Sequence, residues 1–571
     1  MPVGRGRRGS ALVLGALLLV IAGAQAPAQT PDTCRELVLY GGKIATMDAL
    51  TTTASSIVIR DDRIAAVSTS TGIPPHSPCA RVINLRGRLV IPGMIDTHDH
   101  VSYFTARPGY DVRLDTAGSI ADVQRMIRAR AATVGKGAWV TSLGGWSPAH
   151  LAEKRMPTSV ELDAAAPDHP VMLIIAGQGA TNARGRTWLT AHQVAVGDNG
   201  ALGGPESIAA LNALRATMTF EDQKRTVRDL LAYYSSMGVT THIDNGGPRA
   251  PAAAMAGVSR TSDGGLNTLD PATGYLPQLA LDREGRLPGR LRVLFYSFDL
   301  TPQLPLLRSR LDNQMMGFGN DWIRVAGVGE RVGGGDGPGD AEWDANGRPT
   351  PQYEAAVRLV AQRGWTLQQH STALEDEKRH VDLWERVNAD VPLAPLRWTL
   401  AHVRGIDRPT LDRLKAIGVG VSITGTRYMS EGDRPGPPIR TIVASGIRAS
   451  YGSDNPSSPP TNPWLHMYAI VTGRNYAKRL IEGDETLSRL DALRLYTLNG
   501  AWFSRDEDKL GSIEAGKLAD VVVLSGDFLD PARVPDEAIR QLHSELTIVG
   551  GRLVYDSGAL TTEAQRKKGE N

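Results

Sequence analysis

The sequence predicts an α/β fold: a (β/α)8 TIM barrel with a small composite β-sandwich domain built from both chain ends. Between residues 91 and 508, short apolar runs alternate with longer helical patterns, which is typical of parallel β/α units. At each end of the chain, short apolar runs separated by turn residues indicate small strands, and neither end is large enough to fold alone. We therefore predict that 29–90 and 509–560 form one β-domain beside a barrel domain at 91–508.

Composition argues against two kinds of partner. The 571 residues carry 63 lysines and arginines against 61 aspartates and glutamates, so the formal net charge is only +2. A nucleic acid or an anionic membrane surface is usually bound through a strong positive charge, which this balance does not provide. We predict a small-molecule partner and no nucleic acid. Assembly into a homo-oligomer is compatible with the sequence.

The amino terminus has the three-part pattern of a signal peptide over residues 1–28. Arg8 ends a basic stretch and precedes the apolar run Ala11–Ala22. Small residues at Ala26 and Ala28 then favour cleavage after Ala28. The alternative, a retained membrane anchor, is disfavoured because the run is about a dozen residues long and a span needs roughly 20. We expect export to the periplasm or the medium, with no transmembrane span after cleavage.

The chain has two cysteines, Cys34 and Cys79, which flank the same small β-region. In a chain bound for an oxidising compartment, a disulfide between them is favoured over two buried thiols. Neither cysteine lies near the motifs described below, so a cysteine nucleophile is not expected.

The strands of the composite domain are expected where apolar runs lie between turn residues. The predicted strands are Glu36–Ala45, Ser56–Ile64, Ala80–Val90, Ala519–Leu524 and Leu546–Tyr555. The remaining residues, 561–571, are predicted to be a disordered tail.

Nine candidate barrel strands follow, one more than the fold requires, so at least one must be accessory. They are Leu89–Asp96, Ala138–Ser142, Val171–Ile175, Thr240–Asp244, Trp322–Val328, Trp365–Gln369, Arg397–Ala401, Gly418–Ile423 and Ile447–Gly452. The helices predicted between them include Asp222–Ser236, Gln352–Gln362, Glu375–Val387 and Arg408–Ala416.

The first chemical signal is the pair His98 and His100, at the end of an apolar strand. Residues two apart on a strand point to the same side, so both imidazoles can reach one metal ion. A single His-x-His pair is weak evidence. It gains weight here because other metal-binding residue types also follow predicted strands, and barrel active sites lie at the carboxyl ends of strands.

Four further residues occupy such strand ends: Glu330, His370, His402 and Asp454. Each alone could be a buried hydrogen-bonded residue or a cap, and Asp454 could form an Asx-turn before Pro456. Taken together with the histidine pair, they predict a divalent metal site. Zinc is favoured because imidazole nitrogen and carboxylate oxygen are ligands it takes readily.

The motifs together resemble the metal-dependent amidohydrolase superfamily, and within it the amidohydrolase 3 branch that contains N-acyl-amino-acid and formamide hydrolases. The resemblance covers nearly all of Glu36–Tyr555. The matching motifs are Pro92–His100 (PGMIDTHDH), Glu161–Asp163 (ELD), Gly452–Asp454 (GSD), Asn462–Pro463, Thr497–Ala501 (TLNGA), Gly511–Ile513 and Gly516–Asp520 (GKLAD). The resemblance implies the barrel, the composite β-sandwich, metal ligation by the four histidines, and a double role for Asp454 as ligand and proton shuttle.

Two departures from the pattern leave alternatives open. Many relatives carry a carboxylated lysine that bridges two metals after the fourth barrel strand, where this chain has Glu330. A glutamate can supply the same anionic oxygen bridge, so we predict Glu330 as a bridging ligand; the alternative is a single ion with Glu330 outside its ligand set. One or two ions are therefore expected. Gln178 stands where the branch often has a Gly-His pair.

Four residues, Gln178, His242, Trp146 and Tyr103, are predicted to bind substrate, and Tyr428 could add to an apolar wall. Gln178 could donate a hydrogen bond to a carbonyl, and His242 ends a strand that could face the site. Trp146 and Tyr103, with Tyr428, could form an apolar wall. For each of them, packing in a loop or in the barrel is the alternative.

The function predicted is hydrolysis of non-peptide C–N bonds, in amides or cyclic amides. A metal-activated hydroxide would attack the carbonyl, and Asp454 would act as general base and then as general acid. A lactonase, a dipeptidase or a deaminase on the same scaffold is the alternative within enzymes, because pocket loops decide the substrate. A non-catalytic binding protein with a degenerate site is the alternative of another class.

Overall fold

The computed structural model describes most of the chain between the two termini. The described residues are 34–175, 177–246, 274–297, 299, 301–333, 342–429, 436–455 and 460–561. The signal peptide predicted for 1–28 and all but the first residue of the tail predicted for 561–571 lie outside them. Within the described ranges, no helix combines the length and the apolar character that crossing a membrane requires.

Eight parallel strands form the predicted barrel, which is confirmed. They are β6 (Met94–Asp99), β12 (Val239–Asp244), β13 (Arg290–Ser297), β14 (Ile323–Val332), β15 (Leu367–Ser371), β16 (Thr399–His402), β17 (Gly420–Thr424) and β18 (Ala449–Gly452). They pair in the order β6, then β12 through β18. Every residue of β17 is buried, as expected for a strand covered on both faces. The first and last strands meet where the Asp454 N–H donates to the His98 carbonyl over 2.8 Å.

Helices alternate with the strands along the chain; the first four pack with a sheet inserted between β6 and β12, and the later ones accompany the barrel strands. They are α1 (Ile120–Ala131), α2 (Ser159–Ala165), α3 (Ala183–Ala191), α4 (Gly204–Arg215), α5 (Phe220–Met237), α6 (Leu276–Arg283), α7 (Pro305–Asn313), α8 (Pro351–Gln362), α9 (Leu374–Asp390), α10 (Arg408–Ala416), α11 (Thr426–Met429), α12 (Ile439–Ala444), α13 (Pro463–Thr472), α14 (Arg489–Tyr496) and α15 (Leu498–Phe503). Short 3-10 helices span Val101–Ala106, Pro148–His150, Asp198–Gly200, Ala394–Leu396 and Asp536–Gln541. The four helices predicted from sequence are confirmed as α5, α8, α9 and α10.

Local sequence explains the bounds of α5. Thr219 and Asp222 form a capping box at its start, which satisfies amide groups that have no partner within the helix. Gly238 ends it with φ +94°, a left-handed conformation that glycine adopts without a steric cost.

The two chain ends meet in one eight-stranded mixed sheet, as predicted. Its strands are β1 (Glu36–Ala45), β2 (Thr53–Arg60), β3 (Arg63–Ser68), β4 (Arg81–Asn84), β5 (Leu89–Pro92), β19 (Val521–Leu524), β20 (Ser544–Val549) and β21 (Arg552–Asp556). The order is β21-β20-β19-β5-β1-β2-β3, and β4 pairs with β1. The predicted disulfide between Cys34 and Cys79 is present in this domain.

The predicted strand Leu89–Asp96 is divided at Gly93. Its first half, β5, pairs with β19 in the composite sheet, and its second half, β6, pairs with β12 in the barrel. A side chain at Gly93 would lie 2.2 Å from Thr240 Oγ1, so the close approach of β6 to β12 requires glycine here. The chain thus passes directly from the composite sheet into the barrel.

A five-stranded sheet inserted between β6 and β12 was not predicted as a separate unit. Its strands are β7 (Tyr110–Asp111), β8 (Val140–Leu143), β9 (Val171–Ile175), β10 (Gln178–Thr181) and β11 (Ala201–Leu202). The predicted barrel strands Ala138–Ser142 and Val171–Ile175 are β8 and β9 of this sheet, so assigning either of them to the barrel is wrong. Short parallel apolar runs look the same in either sheet, which explains the error.

The barrel strand that the prediction omitted is β13. Its sequence RLRVLFYS contains Arg290 and Arg292, which interrupt the apolar pattern, yet both arginines are buried. Arg290 forms two hydrogen bonds of 2.8 Å with Asp520, and Arg292 Nε donates to Asp506 over 2.7 Å. Asp520 and Asp506 therefore neutralise two buried arginines, which the sequence of β13 alone would place at the surface.

Replacing Asp520 with asparagine is expected to lower the free energy of unfolding by about 3 kcal/mol. The variant leaves the Arg290 guanidinium buried without a carboxylate, and breaking a buried pair in this way is costly. Urea denaturation followed by circular dichroism measures the change. Asp412→Asn is the control, because Asp412 pairs with Arg408 over 2.9 Å at the surface and little loss is expected there. Equal losses in the two variants would contradict a structural role for the Arg290–Asp520 pair.

Candidate metal centre

The six predicted ligands come from five barrel strands and converge at the strands' carboxyl ends. His98 lies on β6 and His100 directly follows it, while Glu330 lies on β14. His370 is on β15, His402 is the last residue of β16, and Asp454 follows β18 by two residues. All but His370 and Asp454 are buried, and those two are partly buried. The fold thus delivers the whole set to one end of the barrel.

Two overlapping groups have donor atoms close enough to share an ion. His98, His100 and Asp454 form one, and His98, Glu330 and His402 form the other, each with its donor atoms within 4.8 Å of one another. Asp454 Oδ1 lies 3.7 Å from His98 Nε2 and 3.6 Å from His100 Nε2. Because His98 belongs to both groups, they form one centre.

Glu330 lies at the middle of this centre. Its Oε2 is 3.4 Å from His100 Nε2, whereas its Oε1 is 2.9 Å from His402 Nε2 and contacts His370 Nδ1. The Tyr296 hydroxyl donates to Oε2 over 3.1 Å and holds the carboxylate in this orientation. The two oxygens of one carboxylate therefore face different imidazoles, an arrangement that allows it to bridge two ions.

The donor set fits a divalent metal. His98 Nε2 is buried within the centre and has no hydrogen-bond partner among the described residues, and an unpaired buried nitrogen is costly unless a ligand occupies it. Hydrogen bonds on the opposite ring nitrogens orient two of the imidazoles. His98 Nδ1 lies 2.5 Å from Gln368 Oε1, and His402 Nδ1 lies 2.9 Å from Thr424 Oγ1. Outer contacts of this kind usually accompany metal-binding histidines.

The charges within the centre also suit a cation. Burial, and after it the neighbouring His402, lower the pKa of His98 to about 4, so this imidazole is a neutral donor at pH 7. Burial alone would raise the pKa of Glu330, but His370, His100 and His402 together lower it well below its usual value. The pKa of Asp454 is lowered in the same way, against burial, by His402 and His100. Both carboxyl groups are therefore anionic.

The backbone at two of the ligands is held in an uncommon conformation. His402 has φ +69° and Asp454 has φ +57°, in the left-handed region that non-glycine residues rarely adopt. Such conformations cost free energy and are concentrated at functional sites. At Asp454, the hydrogen bond from its N–H to the His98 carbonyl stabilises the conformation. Asp96 adds a second connection between these two segments, because its carboxyl group accepts hydrogen bonds from both the His98 and the Ser453 N–H groups.

Of the four predicted substrate-binding residues, the structure places Tyr103 beside the centre. Its ring centroid lies 5.2 Å from that of His100, and its hydroxyl donates to Tyr296 over 3.4 Å. Trp146 is 1% exposed and packs in the core of the five-stranded sheet, and Gln178 is an exposed residue at the start of β10.

His242 lies on β12 and packs against α5, where its ring centroid is 4.4 Å from that of Tyr234. Its Nδ1 pairs with Asp99 Oδ2 over 2.9 Å, and a side chain at Gly289 would lie 3.5 Å from its Nε2. Because Gly289 directly precedes β13, this nitrogen points toward the amino ends of the strands. His242 therefore contacts the carboxyl end of β6 through Asp99, but it is not among the converging ligands.

Sequence reasoning missed three polar residues at the centre: Tyr296, Gln368 and Thr424. Gln368 precedes His370 by two residues, so it shares a face of β15 with a predicted ligand, and strand alternation could have identified it. Thr424 ends β17 and could have been found by the same strand-end criterion. Tyr296 lies on β13, the strand that the prediction omitted, so no signal pointed to it.

Comparisons with known proteins bear on the family and the fold of the chain. The model of the amidohydrolase family matches residues 81–555. An N-substituted formamide deformylase from Arthrobacter pascens is 26% identical over 562 residues, which cover 91% of this chain and 98% of that protein. Among solved structures, an uncharacterized metal-dependent hydrolase from Pyrococcus furiosus is similar with TM-score 0.55 and 19% identity, over 87% of this chain and all of that one. An atrazine chlorohydrolase from Arthrobacter aurescens TC1, complexed with zinc, gives TM-score 0.53 and 15% identity over 93% of this chain and 98% of its own.

The chain belongs to the amidohydrolase family. The predicted assignment to a metal-dependent hydrolase of carbon–nitrogen bonds that acts on small molecules is thereby confirmed at the level of the family. The barrel with an additional sheet domain is confirmed as well.

Proposed function

We propose that the protein is an exported hydrolase of non-peptide amide or cyclic amide bonds that uses two zinc ions. The observation that carries this proposal is the position of Glu330, whose two carboxylate oxygens face different imidazoles at the carboxyl end of the barrel. His98, His100 and Asp454 would hold one ion and His370 and His402 the other, with Glu330 shared between them. The alternative of one ion remains an outcome of the metal analysis described in the Discussion.

Zinc is the metal that the donor set supports best. The centre offers four imidazoles and two carboxylates, which are ligands zinc takes in catalytic sites. The zinc present in the related atrazine chlorohydrolase supports the same choice.

The protein's own residues supply the remaining chemistry. A metal bound at the centre would acidify a bound water and polarise the substrate carbonyl. Asp454 is anionic and lies next to His98 and His100, so it can accept a proton from the attacking water. It can then deliver that proton to the leaving nitrogen as the C–N bond breaks. Tyr103 and Tyr296 line the His100 side of the centre, and burial raises the pKa of Tyr296, so its hydroxyl stays protonated and keeps donating to Glu330.

Support for an amide substrate comes from the formamide deformylase of Arthrobacter pascens, because it is similar over nearly its whole length. The test is a panel of N-substituted formamides, N-acyl amino acids, cyclic amides, lactones, dipeptides and aminopurines, assayed with zinc-loaded protein and with protein treated with a chelator. Zinc-dependent turnover of the amides is expected to exceed that of every other class. A preference for lactones, dipeptides or aminopurines would replace the proposed substrate, and no turnover in any class would favour a binding protein.

Export is supported by the signal-like sequence of residues 1–28 and by the disulfide of Cys34 with Cys79, a bond that persists in oxidising compartments. Expression of the full-length chain in a Gram-negative host, followed by fractionation, tests it. The mature protein should appear in the periplasm or medium and begin after Ala28. Recovery of the uncleaved chain from the cytoplasm would contradict export.

A further inference from the structure

We propose that Gln368 is a positioning residue that fixes the tautomer and the direction of His98, so that its Nε2 is held ready for a metal ion. The proposal rests on the proposed metal centre and extends it to a residue outside the ligand set. Gln368 lies on β15, is 3% exposed, and reaches across the barrel interior to the end of β6.

The hydrogen bonds of Gln368 fix which atom faces His98. Its Nε2 donates to the Thr97 carbonyl over 3.2 Å, and its Oε1 lies 2.5 Å from His98 Nδ1. Turning the amide over would place its oxygen against the Thr97 carbonyl oxygen and its NH2 group against the ring, so the observed orientation is the one that satisfies both contacts. The Gln368 oxygen is therefore an acceptor toward His98.

An acceptor at that position determines the state of the imidazole. A neutral imidazole carries one N–H, and the contact with Gln368 places it on Nδ1. The lone pair is then on Nε2, which is buried within the centre and has no other hydrogen-bond partner among the described residues. This is the state in which His98 can bind a metal without first changing tautomer.

The other imidazoles lack an equivalent restraint. His402 Nδ1 pairs with the Thr424 hydroxyl, which can donate or accept and so does not select a tautomer. His370 presents Nδ1 to Glu330, which is itself a predicted ligand, and His100 Nδ1 has no hydrogen-bond partner among the described residues. Among these imidazoles, His98 is thus the one whose state is selected by an acceptor outside the ligand set, and it is the imidazole shared by both groups of possible ligands.

The test measures metal binding without any substrate. Metal-free protein is titrated with zinc in competition with a chromophoric chelator, and with cobalt while the visible absorption spectrum is recorded. Gln368→Met removes the acceptor oxygen while keeping a side chain of similar volume. Zinc affinity is expected to fall about 10–100-fold, as is typical when the hydrogen-bond partner of a metal-binding histidine is lost. The cobalt spectrum should change as well, because the His98 ring is no longer held in one orientation.

Two further variants separate positioning from general damage. Gln368→Glu keeps an acceptor oxygen toward His98, and burial favours the protonated carboxyl, whose hydroxyl can donate to the Thr97 carbonyl in place of the lost amide. Zinc affinity close to that of the wild type is therefore expected. Gln369→Leu is the matched control: the neighbouring residue is 0% exposed on the same strand, but its amide donates to Glu342 and to the His370 backbone carbonyl, and to no ligand side chain. Its zinc affinity should be unchanged.

The outcomes distinguish this proposal from the proposed function. Wild-type zinc affinity in folded Gln368→Met would overturn the positioning role while leaving the metal centre intact. If Gln368→Met does not fold, Gln368→Glu decides, since a loss of affinity as large as that expected for Gln368→Met would also overturn it. A wild-type protein that binds no zinc at all would instead refute the centre itself.

Discussion

Replacing Asp454 with asparagine is expected to lower kcat/KM by about two to four orders of magnitude, the range in which a general acid–base contributes. The asparagine amide has nearly the same shape as the carboxylate but cannot accept the proton. The four imidazoles and Glu330 are retained, so the fold and at least one bound metal ion should be retained too. Steady-state kinetics on the best amide of the panel, together with metal analysis, gives the result.

Asp412→Asn on α10 is the control for this change and should leave kcat/KM within twofold of the wild type. Near-normal turnover by Asp454→Asn, with metal bound, would refute the proton-transfer role. Loss of all metal from the variant would show instead that Asp454 acts chiefly as a ligand.

Replacing Glu330 with glutamine is expected to reduce the bound zinc from two ions to one or none per chain. A neutral amide cannot offer two anionic oxygens to two cations, and the imidazoles that now face Glu330 would lose their shared counter-charge. A fall in kcat/KM of at least about a hundredfold should accompany the metal loss, because electrostatic stabilisation in the site is lost with it. Zinc is measured by plasma mass spectrometry after gel filtration.

Glu354→Gln on α8 is a suitable control, since Glu354 pairs with Arg358 at the surface of the barrel. Two ions in Glu330→Gln would exclude a bridging role for Glu330. One ion in the wild type, with one retained in the variant, would favour a single-ion centre with Glu330 outside the ligand set.

The barrel and its metal centre could be predicted from sequence because both depend on local signals. Strands buried on both faces appear as short apolar runs, and the ligands follow those runs directly, as at His402 and Asp454. Parallel strands of a barrel end on the same side, so residues far apart in sequence could be placed together without knowing any contact.

What could not be predicted depends on distant partners. β13 was omitted because Arg290 and Arg292 look like surface residues until Asp520 and Asp506, more than two hundred residues later, are known to neutralise them. The five-stranded sheet was assigned in part to the barrel because β8 has the same length and apolar character as a barrel strand. Pairing partners, which no single run specifies, decide between the two sheets.

The positions of the four predicted substrate-binding residues were the hardest to predict. Tyr103 follows the histidine pair on the same chain segment, so its position was constrained by the ligands. Trp146 packs in the core of the inserted sheet and Gln178 begins β10 of that sheet, whose placement relative to the barrel is not encoded in any short motif. Knowing the fold therefore predicts the residues of a metal centre more reliably than it predicts the residues of the surrounding loops.

The contact between β6 and β18, where the first and last barrel strands meet, has a consequence for how the protein becomes active. Asp96 and Ser453 are joined across it by a hydrogen bond although they lie 357 positions apart in the chain. Contacts so distant in sequence form late, since a long loop must be closed first. A truncated chain that stops before β18 would lack Asp454 and the strand that closes the barrel, so it should bind a cation more weakly than the full chain. A cation bound to the complete centre would in turn stabilise the closed barrel by mass action.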